Sequence, residues 1–161
     1  MASLDDMLAN STTRRGAVAV DARKTFWSHL AVLEEVVVGG REVRAYVDRW
    51  VPTNEGEAID ALVWVEGSIY RVVTGASAWI GRVPENEVGS AALELDLAKK
   101  EIKGEGSWGT TRFLLSVELP PALRWSAEED TVWSLDLRSQ LSKEDALRAA
   151  APFMGRPGAG R

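Results

Sequence analysis

The chain contains no cysteine and a single histidine, His29, in 161 residues. The first absence excludes disulfides, thiolate nucleophiles and cysteine-based metal sites together. The second leaves no ligand set for a zinc centre, and a serine–histidine–aspartate triad would have to be built around His29. Its place beside Trp27 and Leu30, in a segment with helical spacing, marks it as a packed or surface histidine instead. Basic charge is also scarce: 19 Lys and Arg stand against 24 Asp and Glu, a net charge of −5. Phosphate binding needs clustered cations, so nucleic acid is not expected as the main ligand. Long apolar runs are missing too. The longest, Ala61 to Val65, falls far short of the roughly 20 residues that cross a bilayer. Asp5 and Asp6 stand where a secretion signal carries positive charge, and no apolar segment follows them. The expectation is a cytoplasmic protein, or a virion protein assembled from the cytoplasm, with no membrane contact.

What remains is ordinary globular material, 45% hydrophobic and 27% charged, and a length that fits one domain. The expected layout is an N-terminal arm over 1–16, a single β-rich domain over 17–154, and a flexible tail over 155–161. In the arm, Ser3 and Asp6 resemble a capping box, and Leu4, Met7 and Leu8 form one apolar side. So short a helix must dock on its own domain or on a neighbouring subunit. Phe26, Leu30, Leu33 and Val37 mark one helical face, whereas Val36, Val37 and Val38 favour strand. The reading places a helix at about 21–33, a strand from Glu34 or Glu35, and a hairpin turn at Gly39-Gly40.

Beyond that turn, period-2 alternation predicts an antiparallel meander. In a strand over 42–51, Val43, Ala45, Val47 and Val51 face one way, with Arg44, Tyr46, Asp48 and Trp50 opposite. Further strands cover 58–65, 69–73 and 78–80, then 93–97, 111–119 and 132–137, with turns at Glu66-Gly67 and at Ala98 to Glu101. Ser142 caps a closing helix over about 142–152. The fold class is therefore α+β, mainly β: a meander closing into a small barrel or sandwich, with a short N-terminal helix and two further helices. One apolar face of such a sheet must be hidden.

Motifs that carry chemistry are absent or incomplete. Gly104 to Thr111 is glycine-rich, but it lacks lysine and precedes a strand, so it is not a phosphate loop. Gly75-Ala76-Ser77-Ala78-Trp79 lacks the last glycine of a nucleophile elbow. Asp48, Asp60 and Glu66 fall on neighbouring strands, where carboxylates commonly occupy a wet sheet face. No catalytic, metal or cofactor-binding residue is assigned. Seven tryptophans are an excess. Trp64 and Trp133 share faces with leucines and read as core, while Trp50 lies with Arg44 and Tyr46 on the polar face and Trp108 lies in the glycine-rich loop. Exposed Trp, Tyr and Arg are enriched at interfaces. The candidate interface is Leu4, Met7, Leu8, Arg44, Tyr46, Trp50 and Trp108.

The stretches VVVGGREVRAYVDRW and ALVWVEGSIYRVVTG resemble the strand–turn–strand pattern of tailed-phage head–tail connector, neck and tail structural proteins. The likeness covers about residues 34–76 and implies a small barrel in a virion assembly. LRWSAEEDTVWSLDLRSQLSKEDALRAAAPF is similar to the strand–strand–helix close of bacterial anti-sigma-associated and lipoprotein-like carrier domains. Neither resemblance carries catalytic residues across. The first expectation is a non-enzymatic structural or interaction protein, assembling with itself or with a protein partner. The alternatives are a small-molecule or peptide-binding barrel with a tryptophan-lined pocket, and an enzyme using carboxylates.

Overall fold

The computed structural model describes residues 4, 8, 20–102, 105–126, 128, 129, 131–137, 141 and 143–155. Helix α1 (Val20–Val32) continues as a π-helical segment over Leu33–Val38. Strands β1 (Val43–Thr53), β2 (Gly56–Val65), β3 (Ser68–Thr74) and β4 (Ala78–Pro84) form a four-stranded antiparallel meander. Strands β5 (Ala91–Ile102), β6 (Glu105–Glu118) and β7 (Val132–Asp136) form a second, three-stranded sheet. Helix α2 (Lys143–Met154) closes the described chain. The two sheets pack as a sandwich and do not close into a barrel.

The valines after Leu33 are helical, which corrects the expected strand. The helical face prevails because Leu33 and Val37 bury completely with Phe26, while Val36 points outward. Gly39 ends the helix: it is left-handed (φ 53°, ψ 37°) and its N–H donates to Glu34 O at 3.2 Å. Arg41 completes the cap, donating from Nε to Val38 O at 3.2 Å and from Nη2 to Val37 O at 2.6 Å. A cation there also suits the negative end of the helix dipole. Gly39-Gly40 does have positive φ, but as a helix terminus and not as a hairpin turn.

The first sheet is covered on both faces. Ala45, Val47, Leu62, Trp64, Ile69 and Val83 meet Phe113, Leu115, Val117 and Trp133 of the second sheet. Val43, Tyr46, Ile59, Ala61, Val63 and Val72 pack under α1 with Leu4 and Leu8. Double coverage explains why β2 from Ala58 and all of β3 are buried without alternation. A register shift between Val43 and Ala45 puts these two on opposite faces, against the single face expected for both.

In the second sheet, β5 runs on through 98–101, where a turn was expected, and β6 takes in the glycine-rich segment from Glu105. Trp108 is therefore a strand residue, paired with Lys99. Helix α2 seals one end of the sandwich through Ala146, Ala150 and Phe153, whose ring lies 6.4 Å from that of Trp64. Burial of Phe153 holds the last turn helical past Pro152, where the helix was expected to stop. The expected cap Ser142, the tail over 156–161 and all of the arm except Leu4 and Leu8 lie outside the described residues.

Candidate functional site

Each face of the first sheet carries a buried polar cluster. Under α1, His29 is fully buried and joins three strand side chains. Its Nδ1 lies 2.6 Å from Thr74 Oγ1 and its Nε2 lies 3.1 Å from Tyr46 OH, which donates to Asp48 Oδ2 at 2.6 Å. The phenol has one proton and gives it to Asp48, so its oxygen accepts from His29 Nε2–H. Nδ1 is then the acceptor, and Thr74 donates to it. Burial lowers the His29 pKa to about 4, although the Asp48 and Asp60 charges oppose that shift. The order of groups is that of a proton relay, with Thr74 buried like the rest. Its evident work is to bolt α1 to β1 and β3.

On the sandwich side, Asp60 accepts from Arg71 Nε at 3.0 Å and Nη2 at 2.9 Å, and from Arg49 Nε at 3.1 Å. Arg49 reaches the other sheet, donating to Ser134 O at 2.8 Å with its guanidinium 4.7 Å above the Trp133 ring. Trp133 Nε1 is buried with no hydrogen-bond partner. Arg71 also binds Glu129 through Nη1–Oε1 at 2.7 Å and Nη2–Oε2 at 3.0 Å, and Nη1 donates to Leu123 O at 3.0 Å. Burial alone would lower the Arg71 pKa, but its bonds to Asp60 and Glu129 outweigh it and raise the value. Burial would likewise lift Glu129, whose bond to Arg71 wins and holds it below the usual carboxylate range. Two cations and two carboxylates close on one another, which is what allows them inside at all.

This cluster shapes a cleft at the surface. Glu129 accepts from the backbone N–H of Trp125, and from that of Ser126 at 3.2 Å. Arg71 and Glu129 thereby hold the segment after the 3₁₀ turn Pro121–Leu123 against β3. Trp125, 40% exposed, becomes one wall of a half-open cleft of about 380 Å³. Ala58, Val73 and Trp79 also line it, as do the turns at 53–55 and 75–77. Trp79 is seated by Gly81: a Cβ there would lie 2.8 Å from the indole Cη2 and would collide with Ala122 O. No ring contact joins the two indoles. Glu55 is the only ionisable side chain among the residues lining the cleft.

The structure distributes the expected interface residues differently. Leu4, Leu8 and Tyr46 are buried together under α1, and Trp50 packs half-buried against that cluster. The register of β1 is what turns Tyr46 and Asp48 inward: their face is covered by α1 and is not wet. Arg44 is partly exposed and lies 3.6 Å from Glu85 Oε2, which accepts from Trp64 Nε1 at 2.8 Å. Met7 lies outside the described residues, and only the backbone of Trp108 is placed. Asp48 and Asp60 occupy opposite faces and do not converge with Glu66, which is exposed in the β2–β3 turn. The sequence reading missed Arg71, Glu129 and the cleft lined by Trp79 and Trp125. The signal was there for the first: AIDALVWV and SIYRVVT each embed a charge in an apolar strand, and a charge buried on both sides needs a counter-charge.

Among the described residues, no group of three His, Asp or Glu is placed to hold a metal ion, and no helix is long and apolar enough to cross a membrane. No family model matches the chain, and neither curated proteins nor solved structures give a match.

Proposed function

We propose that this chain is a non-enzymatic interaction module that receives a side chain of a protein partner in the cleft between Trp79 and Trp125. The observation that carries this reading is the contrast between the interior and the cleft. His29, Asp48, Asp60 and Arg71 are buried and spend their hydrogen bonds on one another and on the fold. The cleft, in contrast, offers two aromatic walls with no ring contact between them. Sites for free small molecules enclose most of the ligand; this cleft is half open, which suits one side chain of a larger partner. The test is an indole N–H correlation spectrum during titration with short peptides of differing side-chain chemistry. The reading expects the Trp79 and Trp125 signals to move before those of the other tryptophans. It fails if no peptide moves them.

Self-assembly is a second reading, the one implied by the resemblance to phage connector proteins, and the shape of the second sheet favours it. Strand β7 pairs with β6 only over Leu114–Glu118. The pairs from Leu97↔Thr110 to Ile102↔Glu105 thus form a two-stranded ribbon with no third strand among the described residues. Both ribbon edges present backbone groups that a second copy of the chain can pair. Light scattering across a wide concentration range tests this: oligomer formation is expected, and a monomer at every concentration refutes it.

A further inference from the structure

We infer that the side chain taken by the Trp79–Trp125 cleft is cationic, an alkylammonium of the lysine type, and that Glu55 sets this preference. The inference rests on reading the cleft as a partner site and adds the chemistry of its occupant. Indole faces carry negative charge density and attract a cation held over them, most strongly where water is partly excluded. Two tryptophans, Trp79 and Trp125, line the cleft, and its lining residues include one acidic residue, Glu55, and no Lys, Arg or His. Glu57 at the start of β2 and Glu128 shortly after Trp125 are both exposed. Arg124, the cation next to Trp125, is turned away, donating from Nε to Leu119 O at 3.2 Å. Behind the cleft, Arg71 is paired with Asp60 and Glu129. An anion would face Glu55 with no cation in the lining to offset it. The floor, Ala58 and Val73, suits the methylene stem of a long side chain.

The experiment titrates the protein with one short neutral peptide carrying lysine, trimethyl-lysine, acetyl-lysine or glutamate at its centre, read by indole N–H shifts. Trimethyl-lysine and lysine are expected to bind about tenfold more tightly than acetyl-lysine, whose amide is neutral, with glutamate weakest. Glu55→Gln should weaken the cationic peptides several-fold and leave acetyl-lysine unchanged; Trp125→Ala should remove binding of all. Glu55 is exposed and Trp125 is 40% exposed, and an unchanged urea midpoint shows that each variant keeps the fold. If acetyl-lysine binds as tightly as lysine, the charge preference is wrong while the partner cleft stands. If none of the four peptides moves Trp79 or Trp125, the partner cleft itself falls.

Discussion

Arg71 and Glu129, 58 residues apart in the chain, meet through paired bonds of 2.7 and 3.0 Å, with the guanidinium buried and the carboxylate partly open to water. The pair fixes a loop to the sheet and, through the Trp125 N–H, fixes one wall of the cleft.

Removing the two partners should therefore have different results. Arg71→Met strands Asp60 inside with only Arg49 beside it, and should cost about 3–5 kcal/mol in urea unfolding. Glu129→Gln keeps the core charge pair and should cost about 1–2 kcal/mol. Its local mark is faster amide hydrogen exchange at Trp125 and Ser126, where Glu129 accepts. Equal losses from the two variants would show that the loop anchor and the core pair are one unit.

Acid should loosen α1 before it disturbs the loop. His29 titrates at about 4 in the folded chain against 6.5 when exposed, so the unfolded state binds the extra proton between those values. Stability is full above pH 6.5 and falls as pH drops toward 4, by a total on the order of 3 kcal/mol. Glu129, depressed below 4.5, adds its own loss only at more acid pH. His29→Gln should flatten unfolding free energy between pH 6.5 and 4; an unchanged slope would assign it to other groups.

Gly39 tests the helix terminus. Nothing lies within 4 Å of a Cβ placed there, so the backbone at φ +53° is the sole penalty. Gly39→Ala should cost about 1–2 kcal/mol, and Gly39→Asn clearly less, since Asn tolerates this conformation.

Gly81 is the opposite case, limited by space. Gly81→Ala drives a methyl into Trp79 and the Ala122 carbonyl. A loss of about 1–3 kcal/mol is expected from overpacking, together with displaced Trp79 and Trp125 indole signals. Unshifted indoles would mean that the methyl is accommodated without moving Trp79 or Trp125.

Much of this architecture is local information. Period-2 alternation marks the strands because a sheet faces two ways, and the spacing Phe26, Leu30, Leu33, Val37 marks the buried face of α1. Trp64 and Trp133 declare themselves core by the leucines they stand among. What the local pattern misjudges is what lies above the second face. Val36 to Val38 read as strand until Leu33 and Val37 are seen to pack under Tyr46 and Val63. Tyr46 and Asp48 read as wet until α1 covers them and His29 takes up their bonds.

The sequence by itself determined a cysteine-free, mainly β chain with a single histidine, because residue type and period are properties of neighbours in the chain. The tertiary structure alone decided that Asp60 and Arg71 are buried partners, that Glu129 ties Trp125 to the sheet, and that Trp125 and Trp79 line one cleft. Those relations join residues dozens of positions apart. They arise because a charge between two packed sheets must find its counter-charge wherever the fold provides it.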